Sequence, residues 1–302
     1  MKTALLVALG IVSVAYFVYW MVEARKVRPD HSASPRFTFW IRSLVGFVTN
    51  FLDTLGIGSF ATTTSTFKFL KGVKDEVIPG TLNVGHAIPT VVEAFIFIAI
   101  VTVDVRTLIA MIAASVLGAW LGAGIVARWP RRAVQVGLGL ALICAAALML
   151  MTQLNWFPVG GERLSLEGTR LWAGMIGNFA LGALMTLGIG LYAPCMILVS
   201  LLGMDPKAAF PIMMGSCAFL MPAGSARFIK TGRYDWKAAI GLSVGGVPGV
   251  LVAAFIVKSL PLRAVRWLVV IVVFYTAMML LNSAARESRT ARANAGAGAP
   301  GQ

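Results

Sequence analysis

Charge is what this chain has least of: Asp, Glu, Lys and Arg make up 13% of its 302 residues, and only 12 side chains are acidic. A soluble domain carries about 25% charged residues, so there is too little polar surface here to coat a water-soluble body. Two His and three Cys exclude a dense metal site or a disulfide framework, and Cys144, Cys195 and Cys217 all lie in apolar segments. No G-x-x-x-x-G-K-[ST] loop occurs, which excludes ATP use through that motif. RNP-like, zinc-finger and basic-helix patterns are missing too, so nucleic acid is excluded as a partner. The excess of 26 Lys+Arg over 12 Asp+Glu is what the cytoplasmic loops of membrane proteins collect. With no nucleophile–base pair to be read, neither an enzyme nor a cofactor is expected.

What the chain does have is long apolar runs. Hydrophobic residues reach 58% and mean hydropathy is +0.83. Stretches near the length of about 20 residues that crosses a bilayer fall at roughly 4–22, 38–58, 84–103, 107–127, 133–154, 170–190, 209–229, 236–257 and 264–282. The expected fold is an all-α polytopic membrane protein. The first run ends in Glu23-Ala24-Arg25-Lys26 with no small-residue cleavage site, so it reads as a retained anchor helix. With its basic linker it occupies 1–37. The tail 283–302, rich in Arg, Ala and Gly, cannot bury a core and is expected to be disordered.

Between them lies an internal repeat. Thr54-Leu55-Gly56-Ile57-Gly58 returns as Thr186-Leu187-Gly188-Ile189-Gly190, an offset of 132. At that offset or one residue less, Ala61 matches Ala193, Gly72 matches Gly203, and Pro79 matches Pro211. Gly118 likewise matches Gly249, Pro130 matches Pro261, and Arg132-Ala133-Val134 matches Arg263-Ala264-Val265. Two copies are expected, 38–154 and 170–282, joined by an external connector, 155–169.

Loop charges arbitrate between parallel and inverted copies. Suppose each TLGIG is the tip of a broken hairpin and the anchor helix ends inside at Arg25-Lys26-Arg28. Then 18 Lys/Arg lie on the cytoplasmic side and 8 outside, against 15 and 11 for full crossings. The positive-inside rule therefore favours hairpins and inverted repeats, with the N-terminus outside and the C-terminus inside.

The two breaks are also where chemistry is expected. Glycine permits unwound backbone, and a restarted half-helix offers free N–H groups and a positive dipole end for an anion. The first break is followed by Thr62, Thr63, Thr64 and Ser65, whose hydroxyls can donate to an oxyanion; the second by Tyr192 and Cys195. Ser216 and Asn83, at nearly matching positions, and His86 complete the substrate-binding candidates. Asp53, His86 and Glu93 are ionisable groups in apolar surroundings, which face the protein interior. They are the proton-coupling candidates, although a structural pair involving Glu93 would use the same residues.

The paired breaks, the turn Leu202-Gly203-Met204-Asp205-Pro206-Lys207-Ala208 and the Gly215-Ser216 beyond it resemble the bacterial TauE/SafE anion exporters over about 38–282. The resemblance implies export of sulfite or a small organosulfonate such as sulfoacetate, from a multi-pass protein of the bacterial cytoplasmic (inner) membrane. The partners are then the small anion and the lipid bilayer, with homo-oligomerisation left open. Copy one departs from the family pattern, with Ser59 and Thr62–Ser65 where more Gly and a Pro are usual. Two other readings use the same residues: a carrier of a cation or neutral metabolite bound by Asp53 and Glu93, or a membrane scaffold that transports nothing.

Overall fold

The computed structural model describes residues 2–26, 37–126, 161–185, 191–259 and 261–297, with scattered positions between 136 and 154. Helix α1 (Lys2–Lys26) precedes α2 (Phe39–Thr54), α3 (Ser59–Leu70), α4 (Ile78–Ile100) and α5 (Val105–Val126). Then come α6 (Gly168–Met185), α7 (Tyr192–Leu201), α8 (Ala209–Thr231), α9 (Trp236–Ser259) and α10 (Leu262–Ala297). The described residues hold no strand, only an isolated bridge between Arg163 and Met204. Among them α1, α4, α8 and α9 are long and apolar enough to cross a membrane. The protein is an all-α polytopic membrane protein, as its composition predicts.

Element bounds recur at a fixed spacing. The 3-10 turn Asp75–Val77 precedes α4 and the turn Pro206–Ala208 precedes α8, both 131 residues apart; α4 to α8 and α5 to α9 also start 131 apart. Capping recurs with them. Asp104 accepts the Thr107 N–H at 2.9 Å to open α5, and Asp235 accepts the Ala238 N–H at 2.6 Å to open α9. A carboxylate that satisfies a free amide of the first turn stabilises a helix by about 1 kcal/mol.

The apolar run 38–58 is not one span. Helix α2 stops at Thr54 after 16 residues, about 24 Å of rise, short of the roughly 30 Å hydrocarbon core. Gly56 and Gly58 then take φ of 93° and 90°, which glycine adopts without steric penalty, and α3 restarts at Ser59. Phe37 ahead of α2 meets Phe67 late in α3 edge-on at 5.4 Å, and Gly72 beyond α3 lies against the same Phe37 ring. The two arms thus return to one side, with the tip at 55–58 inside the protein. A second hairpin pairs α6 with α7, Gly174 meeting Leu202 and Gly177 meeting Leu198. Its tip, the second TLGIG, lies outside the described residues.

Glycine seams hold the hairpins. A Cβ on Gly245 or Gly249 of α9 would strike the carbonyl of Ser43 or Phe47 on α2. Across the molecule, a Cβ on Gly118 of α5 would strike the Phe179 carbonyl, and one on Gly182 of α6 the Ser115 carbonyl. Such backbone-to-backbone approach is how helices associate where hydrophobic burial supplies no drive. Each hairpin therefore packs on a helix from the other half of the chain.

The central pair, α4 and α8, is antiparallel: Gly80 meets Arg233 and Phe228, while Ile98 meets Gly215. Helix α1 lies antiparallel to α4, with Lys2 Nζ donating to the Ala99 carbonyl and Tyr16 Oη to that of Val84. One end of the bundle thereby gathers Arg25, Lys26, Lys71, Lys74, Arg227, Lys230, Arg233 and Lys237 against Glu23, Asp75, Glu76 and Asp235. The other end mixes Lys2, Arg106, Arg163 and Lys207 with Asp104, Glu162, Glu167 and Asp205. Helix α10 runs on into the tail, through Ala297. Its Ala, Arg and Glu are strong helix formers, which composition read as absence of a core conceals.

Candidate functional site

Three residues on one face of α2, Asn50, Asp53 and Thr54, are spaced i, i+3, i+4 and lie 0–3% exposed. They face His86 and Glu93, seven residues apart on α4 and both fully buried. Polar atoms at this depth carry a large desolvation cost unless paired, and the pairing is dense. His86 Nδ1 lies 3.0 Å from Asn50 Oδ1, and His86 Nε2 lies 2.9 Å from Thr63 Oγ1 on α3. Asn50 Oδ1 can only accept, so Nδ1 carries the proton; in the neutral ring Nε2 then accepts from the Thr63 hydroxyl. Phe60 covers the imidazole, 6.1 Å between ring centres.

Glu93 joins the two halves of the chain. Its Oε1 accepts from Thr54 Oγ1 at 2.7 Å and its Oε2 from Tyr192 Oη at 2.9 Å. Tyr192 opens α7, the second arm of the other hairpin, and is itself buried. Asp53 Oδ1 accepts the Ser59 N–H at 2.6 Å. The amide at the start of α3, expected to be free for an anion, is thus taken by the chain's own carboxylate.

Of the sequence candidates, the structure brings Asp53, Thr63, His86, Glu93 and Tyr192 into one cluster. Thr62 bonds back to the Gly58 and Ser59 carbonyls of its own helix, Thr64 is half-buried, and the Ser65 side chain lies outside the described residues. Asn83 bonds to the Pro79 carbonyl and faces Gly224, away from His86. Ser216 accepts from Asn178 at 3.2 Å on the α6 side, where Asn178 also donates to the Met111 carbonyl. Cys195 is buried in α7. Asn50, Thr54 and Asn178 join without having been singled out as site residues. The i, i+3, i+4 spacing of Asn50, Asp53 and Thr54 was the available signal for the first two. Among the described residues, no three His, Cys, Asp or Glu side chains converge as a metal site.

The cluster offers hydroxyls, an imidazole and two carboxyls at the meeting point of two hairpins, buried in helices that are otherwise apolar. Ionisable groups among membrane-crossing helices are costly and face the protein interior or a water-filled cavity. No curated protein and no solved structure matches the chain. A family model described as "Sulfite exporter TauE/SafE" matches residues 1–149 and 169–301. The match takes in α1 and nearly all of the tail, beyond the 38–282 of the motif resemblance, and leaves out 150–168 and Gln302. The chain belongs to the TauE/SafE sulfite exporter family.

Proposed function

We propose that this membrane transporter is a secondary carrier exporting a small oxyanion, sulfite or an organosulfonate such as sulfoacetate, across the bacterial cytoplasmic membrane. Family membership supports the transport class. The observation that carries the reading is the buried Asn50–His86–Thr63 and Thr54–Glu93–Tyr192 cluster at the tip of a broken helix. Hydroxyls at 62–65, with Asn83, His86, Tyr192, Cys195 and Ser216, remain the residues assigned to the anion. No motor is required, because an interior negative by 100 mV favours exit of a monovalent anion by about 2.3 kcal/mol.

Two carboxyls beside an anion impose a condition. Asp53 already holds the Ser59 amide, and a negative substrate is admitted next to Asp53 and Glu93 only if one of them takes a proton. Asp53, Glu93 and His86 are therefore assigned to proton coupling. The two copies, 38–154 and 170–282, are read as inverted. The antiparallel α4 and α8 and the hairpins returning to opposite ends support this. The basic end is then cytoplasmic, with the N-terminus outside and the C-terminus inside.

Proteoliposomes loaded with sulfite or sulfoacetate should show anion-dependent efflux, reduced several-fold by Thr63→Ala. Liposomes carrying the protein but no such flux would end the exporter reading. A scan of 62–65 without effect, alongside loss of transport at Arg227 or Lys230, would move the site to the basic end. Coupling has its own readout: Glu93→Gln or Asp53→Asn should change the charge moved per anion, and an unchanged ratio in both excludes them.

A further inference from the structure

Two facing rows on the central helix pair are exposed at the basic end and stop short. On α8 the row is Ala223, Gly224, Arg227 and Thr231, all exposed, whereas every residue of 209–218 is buried. On α4 it is Pro79, exposed, and Asn83, half-buried; from there to Ile98 no residue is exposed. The rows face each other at their inner ends, where a Cβ on Gly224 would lie 3.7 Å from Asn83 Oδ1. Helix α8 ends at Thr231, so Gly224 lies about 10 Å in at 1.5 Å of rise per residue, and Asn83 is roughly 4.5 Å short of His86 along α4. A face turned to lipid runs the width of the hydrocarbon, about 30 Å, and carries large apolar side chains, as α9 does with Val244, Leu251 and Phe255. The row on α8 does neither. Its residues are small or polar, and its mouth is cationic, with Arg227 in the row and Lys230 beside it. Of the acids at this end, Glu23 Oε1 accepts from Lys26 Nζ at 2.7 Å and Asp235 Oδ1 from the Ala238 N–H. Positive charge prevails, and a cleft lined by one sign raises the local concentration of the opposite one.

We propose that this cleft is the cytoplasmic vestibule of the carrier, filled with water down to Asn83 and Gly224, and that Arg227 at its mouth captures the small anion bound for the His86 cluster. The capture role rests on the exporter reading, whereas the vestibule stands on exposure alone. Arg227 acts on the encounter and not on the held anion, because it lies a full turn nearer the basic end than Gly224.

The test places single cysteines in a full-length Cys144→Ser chain, in which Cys195 and Cys217 are buried. The probe is 2-sulfonatoethyl methanethiosulfonate, an anionic thiol reagent that does not cross membranes. Gly224→Cys fits, since a Cβ there meets nothing nearer than 3.7 Å, and Val244→Cys supplies a thiol on the apolar face of α9. In inside-out membrane vesicles Gly224→Cys should react at least about tenfold faster than Val244→Cys, because only a hydrated thiol ionises and reacts; in intact cells it should stay unmodified. Equal rates for the two cysteines, or labelling of Gly224→Cys from the outside only, overturns the vestibule. For capture, Arg227→Gln should raise KM for sulfoacetate uptake into such vesicles about tenfold at low ionic strength with kcat unchanged, and salt should close the gap. An unchanged KM at low salt overturns the role of Arg227. Wild-type vesicles that move no anion would end the exporter reading, while the labelling rates still decide the vestibule.

Discussion

Glu93 accepts one hydrogen bond at each carboxylate oxygen, from Thr54 and Tyr192 in opposite halves of the chain. Each donor can be removed separately. Tyr192→Phe leaves the ring and deletes only the hydroxyl, so Oε2 loses its donor; a bond of this type contributes about 1.5–3 kcal/mol when its acceptor is charged. Thermal unfolding in detergent should show that loss, together with reduced anion flux. For His86 the informative pair is Thr63→Val and Thr63→Ser. The valine strands Nε2 and costs about 1–3 kcal/mol, whereas serine keeps the hydroxyl and should stay within about 1 kcal/mol of wild type. Equal stability of both variants would mean that the 2.9 Å contact contributes nothing. His86 and Glu93 were legible in the sequence because an ionisable group inside an apolar run is conspicuous. Asn50 and Thr54 were not, since a small polar residue in a membrane helix looks the same whether it packs, back-bonds or serves a site.

At the scale of elements, the break between α2 and α3 rests on two glycines that are not equivalent. Both have positive φ, but a Cβ at Gly58 meets nothing within 4 Å, whereas one at Gly56 would lie 2.7 Å from Met196 Cε. Gly58→Ala should therefore cost only the backbone strain, about 1–2 kcal/mol. Gly56→Ala should cost more, and a Met196→Ala background should recover the difference. A double-mutant cycle on unfolding free energy measures that recovery, and additive costs would place the methionine elsewhere. Sequence reading located this break from TLGIG alone but could not bound the helices, because glycine in lipid is as often a packing residue as a hinge. The two roles are separated only by φ and by neighbours: Gly118 and Gly249 serve packing, Gly56 and Gly58 the turn.

At the scale of the whole molecule, the basic residues gather at one end through the antiparallel course of α1, α4 and α8. Reporter fusions after Lys74 and Arg131 should both read cytoplasmic, and an external signal at either would restore full crossings. The recurrence of element bounds at 131 residues was legible as spacing. Which helices meet across the two halves of the chain was not, because periodicity records what recurs along a chain and not which surface meets which. That sharing has a biosynthetic consequence. Since α2 closes on α9 and α6 on α5 through seams with no room for a single methyl group, neither copy contains its own partner. A gene cut within the connector should yield two fragments that are degraded when made singly and that assemble when made together, as immunoblotting of membranes would reveal.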